Sequence, residues 1–115
     1  MSSHALLAGA PAGPEAWQLL HLQLTLEETG HQVTNLGAHV PEELVAHACR
    51  THQPDLVLLA CSGRHAQHEA TRLSGILRPH LPPDTRVVTW LAVDDRVRAK
   101  HHADDLAARL RAGAG

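Results

Sequence analysis

Cys61-Ser62-Gly63-Arg64-His65 gathers more chemistry into five residues than any other stretch of this 115-residue chain. A small-residue turn before a helix exposes backbone N–H groups that can hold a phosphate or carboxylate. Arg64 at the same edge suits an anion. His65 offers an imidazole to a metal. Cys61 would attack a substrate only with a lowered pKa and a placed base. No third group stands near it, so no catalytic role is expected. The plainer reading is an ordinary strand-to-helix turn carrying a surface arginine.

The other reactive types are scattered. Eleven histidines include His65 and His68 one helical turn apart, and the pair His101-His102. A metal site needs three or four converging ligands, so two imidazoles are half a site and most of these read as solvated. His65 is the imidazole expected to reach a metal, with His39 and His21 as weaker candidates. Trp17 and Trp90 are the only aromatic residues. By pattern both lie toward the carboxyl edge of a sheet, where each either stacks on a planar ligand or fills a Leu/Ala-rich core. Asp94-Asp95 and Asp104-Asp105 read as helix-start and solvated charges, not as paired catalytic carboxylates.

Composition narrows the classes. A formal charge of −2 and the lack of a basic stripe with interleaved aromatics argue against direct nucleic-acid binding. Two cysteines are too few for a disulfide scaffold, which points to a reducing cytoplasm. The apolar run near the start is short and lacks a positive flank, and no stretch approaches a membrane span.

These residues need a frame to position them. Ala5 to Ala10 reads as strand one, ending in the tight loop Pro11-Ala12-Gly13-Pro14. Pro14 and Glu15 suit a helix start, and the Leu-rich helix one runs to Glu28, with Gly30 as its terminator. Its apolar residues cover more than one face, as expected of a well-buried helix. Strand two is Gln32 to Leu36 and helix two is Pro41 to Thr51. Strand three, Asp55 to Cys61, is an unbroken apolar run of the kind covered on both faces. Helix three spans Arg64 to Arg78, with Leu73, Ile76 and Leu77 as core candidates. Strand four is Arg86 to Val93, and residues 94–112 read as a last helix.

The alternation predicts one α/β domain over residues 1–115: a flavodoxin-like (Rossmann-like), doubly wound parallel sheet of four to five strands, order 2-1-3-4(-5). In such sheets ligands sit at the carboxyl ends of strands, at the switch point. Here that point falls between strands one and three, where the loops Pro11 to Glu15 and Ser62 to His65 meet.

Gly30, Val33, Leu36-Gly37, Val40-Pro41, Glu43 and Pro54-Asp55-Leu56-Val57 fall in register with a family pattern, without a gap. On these residues the chain, from about position 4 to 93, resembles the cobalamin-binding domain family. The nearest likeness is to the domain attached to MerR-type light-sensing cobalamin repressors, whose first helix is similarly Leu-rich. The resemblance implies a corrinoid at the strand carboxyl ends; the His65 imidazole would equally suit haem iron, the alternative tetrapyrrole.

The family's ligand motifs are degenerate here. Its Asp/Glu-x-His-x-x-Gly, whose His coordinates cobalt, falls on Gly13, Glu15 and Gln18, or, shifted by two, on Glu15, Trp17 and Leu20. Neither register supplies an imidazole. Its Ser-x-Leu falls at Ala60-Cys61-Ser62, and its Gly-Gly near Trp90-Leu91. The residues expected at the ligand are therefore Gly13, Glu15, Trp17, Ala60, Cys61, Ser62, Gly63, His65 and Trp90, with His65 on the metal.

These features lead to a stand-alone, non-catalytic sensor or regulatory partner whose corrinoid keeps its own base on the metal. A second expectation is a domain that has lost its ligand and pairs with another protein or with its own copies. A third, the small corrinoid-carrying subunit of a mutase or methyltransferase, would need the missing His.

Overall fold

A computed structural model describes residues 3–11 and 13–91. Along them run β1 (Ser3–Gly9), α1 (Ala16–Glu28), β2 (His31–Asn35), α2 (Glu42–His52), β3 (Leu56–Cys61), α3 (Ala66–Leu77), a 3-10 turn (Arg78–His80) and β4 (Arg86–Leu91). All four strands pair in parallel, in the order β2-β1-β3-β4. The chain is thus the flavodoxin-like α/β fold that the alternation predicts, with the switch point between β1 and β3. The region expected to form the last helix lies outside the described residues, as do Val93 and any fifth strand.

Strand periodicity divides the core into two layers. Leu6, Ala8, Val57, Leu59 and Cys61 face α2 and α3, where Val45, Ala46, Cys49, Ala70, Leu73 and Leu77 meet them. Ala5, Leu7, Leu56, Leu58, Ala60 and Trp90 face the other way, with Leu19, Leu22 and Leu26 of α1. β3 is buried at all six positions, which explains why it reads as a continuous apolar run.

Two packing expectations fail. Leu20 and Leu24 are 56% and 59% exposed, so the second apolar face of α1 is not buried. α1 lies over β1 and β2, and these two leucines point away from the sheet. Ile76 also turns outward, whereas Leu73 and Leu77 enter the core. No helix among the described residues is long and apolar enough to cross a membrane.

β2 opens with His31, whose Nδ1 is buried without a hydrogen-bond partner among the described residues. Burial, then the Arg86 guanidinium, push its pKa below the ordinary 6.5, against a weaker opposing pull from Asp55. A lowered histidine pKa favours the neutral folded state, so its stabilisation is present above pH 6.5 and is lost as pH falls through the lowered value. Urea midpoints at pH 7.5 and 5.5 should therefore separate more in the native protein than in His31→Gln. Equal separations would remove His31 from the acid response.

Candidate functional site

The β1–α1 loop is built by close approach. Ala10 N–H donates to Ala60 O (2.9 Å), carrying the β1–β3 ladder one step past the strand, and Gly13 N–H folds back onto Ala10 O (2.8 Å). A Cβ at Gly13 would lie 2.6 Å from Ala10 O and 3.1 Å from Ala60 O, so only glycine fits there. The β1–α1 loop thus closes on the carboxyl end of β3 at the switch point.

Pro14 is fully buried, and Glu15 follows as the N-cap of α1. Glu15 N–H donates to Gln18 Oε1 (2.9 Å), and the Glu15 carboxylate accepts from the Gln18 backbone N–H. This is a reciprocal capping box. The residues standing where the family pattern has its cobalt-binding His and closing Gly have become partners in starting a helix. Sequence reading missed Gln18; the signal was an acid followed three residues later by Gln. Glu15, expected at the ligand, is engaged in the cap instead. Trp17 lies in the first turn of α1, half-buried, its ring edge-on to His21 at 6.0 Å.

The β3–α3 loop presents less side-chain chemistry than its sequence promises. Cys61 is fully buried in the α2/α3 layer, and burial, aided by the Glu69 carboxylate, pushes its thiol up to about 11. A thiol so placed is neither nucleophile nor ligand contact, which corrects its inclusion among the site residues. Ala60 likewise turns its methyl into the α1 layer and offers the site only its backbone. Ser62 is half-buried, and Gly63 takes φ +90° to turn the chain toward α3. His65 is the exposed N-cap residue of α3. It stands at the expected edge, but no group of three metal-binding side chains forms among the described residues.

Trp90 is 5% exposed within the α1 layer, so the structure gives it the core-filling role rather than an open stacking face. Sheet register settles this: Trp90 pairs with Ala60, on the face opposite Cys61.

A third loop joins the edge. Gly9 N–H donates to Gly37 O (3.0 Å) and Val40 N–H to Gly9 O (3.1 Å), zipping the β2–α2 loop along the end of β1. Asn35 braces it, accepting from Gly37 N–H (2.8 Å) and donating to Gln23 Oε1 (3.0 Å). His39, at φ +55°, places Nδ1 3.2 Å from Pro11 O on the β1–α1 loop. Away from this edge, an open groove of about 260 Å³ runs between α2 and α3, lined by Glu42, Glu43, Ala46, Arg50, Ile76 and His80. Arg72 bridges the same helices, reaching Glu42 (2.8 Å) and Glu69 (2.7 Å).

No protein-family profile and no curated protein matches the chain. Solved structures do. A cobalamin-binding protein from Desulfitobacterium hafniense DCB-2 superposes with a TM-score of 0.67 over 90% of this chain, at 19% identity. The chain has the fold of cobalamin-binding domains. The methanol:cobalamin methyltransferase complex MtaBC from Methanosarcina barkeri matches over 96% of the chain (TM-score 0.65, 14% identity). The chain spans about half the length of each of these two, 50% and 51%. An uncharacterized protein from Wolinella succinogenes matches over 96% of this chain and 95% of its own (TM-score 0.57, 16% identity). At such identities the likeness is one of fold.

Proposed function

We propose that the chain is a non-catalytic corrinoid-binding module, acting as a sensor or regulatory partner in the cytoplasm, whose ligand keeps its own base on the metal. The observation that carries this is the Glu15–Gln18 capping box in a loop that still closes on β3. A corrinoid whose base had been displaced does not fit: the position for the displacing imidazole is a carboxylate committed to a helix start, and an indole fills the layer at the end of β4. A base-retaining corrinoid asks no imidazole of the β1–α1 loop. When bound, it would supply a metal centre whose axial ligation can change. The Gly13 and Gly63 turns would lie against it, with Ser62 and His65 at its rim.

The neighbours' descriptions concern cobalamin and so support a corrinoid over haem. The closer likeness to light-sensing repressors rests on the Leu-rich α1. The carrier-subunit role ranks last because the displacing His is missing.

Titration with cyanocobalamin and aquacobalamin tests this reading. Quenching of tryptophan fluorescence together with a base-on absorbance spectrum is expected. Neither quenching nor spectral change at high micromolar ligand would remove the corrinoid.

One observation favours a second reading, a domain that has kept the fold to pair with a protein. Leu20 and Leu24 stand exposed one turn apart on α1, with Trp17 one turn before Leu20. Concentration-dependent sedimentation abolished by Leu20→Lys, in a protein blind to cobalamins, is the result that reading expects.

A further inference from the structure

The open groove between α2 and α3 lies apart from the strand edge and carries charge at both ends. Glu43, Ala46 and Arg50 line it from one face of α2, at the i, i+3, i+7 spacing of a helical stripe. Ile76 of α3, 37% exposed, lines it from the other side. At one end Arg50 meets no carboxylate among the described residues. Its Nη1 lies instead 3.2 Å from Nδ1 of His80, on the 3-10 turn. A guanidinium can only donate, so Nδ1 accepts and the ring proton is on Nε2. Arg50 and His80 therefore have only N–H donors left to offer, which suits a carboxylate. At the other end Glu42 is held by Arg72, and Glu43 has no cationic partner among the described residues.

The helix dipole alone accounts for acids at the start of α2 and a base near its end. It asks nothing of His80, and nothing of the exposed aliphatic carbon between the two charges. The groove's volume, about 260 Å³, falls just under the range of small-molecule sites, about 300–1,000 Å³. Seven residues of helix separate Glu43 from Arg50, about 10 Å of axis. A fully extended tripeptide is as long, roughly 10 Å. We propose that the groove binds a short apolar peptide with both ends free. Its ammonium meets Glu43, its carboxylate meets Arg50 and His80, and its side chains lie over Ala46 and Ile76. This site is independent of the corrinoid reading. Both charge contacts are exposed, so the affinity is weak, in the millimolar range.

Amide chemical shifts of the full chain, followed as tri-alanine is added, test the site. Saturating shifts confined to the groove are expected. Acetylating the peptide's amino end, or amidating its carboxyl end, should each weaken binding about three- to fivefold. Glu43→Gln should reproduce the first loss and Arg50→Gln the second. Both residues are exposed, so the fold, checked by thermal melts, should survive. Amidation should cost Arg50→Gln nothing further, since the contact it removes is already gone. Arg64→Gln removes the same charge from an exposed arginine beside the strand edge and should leave the affinity unchanged. Shifts that fail to saturate in the tens of millimolar, that fall outside the groove, or that Arg50→Gln leaves intact overturn the proposal. An equal loss in Arg64→Gln overturns it in favour of net charge.

Discussion

Trp90→Ala should cost about 3–5 kcal/mol, the usual range for deleting a buried indole, and lower the melting temperature by more than about 10 °C. The indole is 5% exposed and packs with Leu7, Leu58, Ala60 and α1. β4 is also held on one side by β3 alone among the described strands, so it has little with which to collapse around a cavity. Denaturant titration with a two-state fit gives the number. A loss below about 1 kcal/mol, coupled to a large fall in ligand affinity, would return Trp90 to the open edge as a stacking platform.

Gly13→Ala is the second large effect. One methyl group would sit 2.6 Å from Ala10 O and 2.7 Å from Ala10 N, both backbone atoms that cannot swing aside. Relief requires opening the Ala10–Gly13 turn, and with it the Ala10–Ala60 hydrogen bond. The expected loss is about 2–3 kcal/mol, comparable to overpacking a core. Ligand binding should fall with it, because the same turn seats the β1 loop against β3. Gly63→Ala is the control: φ there is +90°, yet a Cβ would meet nothing within 4 Å, so it should cost only the backbone penalty of about 1 kcal/mol. Equal losses at the two positions would show that conformation, not crowding, makes Gly13 necessary.

Much of the frame was legible because period and punctuation carry it. Six apolar residues in a row bounded by Pro54-Asp55 and Ser62-Gly63 allow little besides a doubly covered strand, and Glu42 and Glu43 mark the first turn of α2. The parallel order followed from alternation. The site was less legible because its chemistry depends on which face each side chain takes. Cys61 and Trp90 are close to the ligand edge in sequence, but register sends one into each core layer. Glu15 carries a charge that looks available until Gln18 is seen to close on it. His39 and His65 look alike in composition. Only the left-handed turn at His39, unmarked by a glycine, brings its ring onto Pro11 O.

The chain has two cysteines, Cys49 and Cys61, and both are buried with thiols raised above their ordinary pKa. Thiolate, not thiol, reacts with peroxide or exchanges disulfides. Burial and the raised pKa therefore make both thiols poor targets for peroxide or disulfide exchange. Both sulfur atoms serve the packing of the α2/α3 layer and leave the loops at the strand ends free of thiol chemistry.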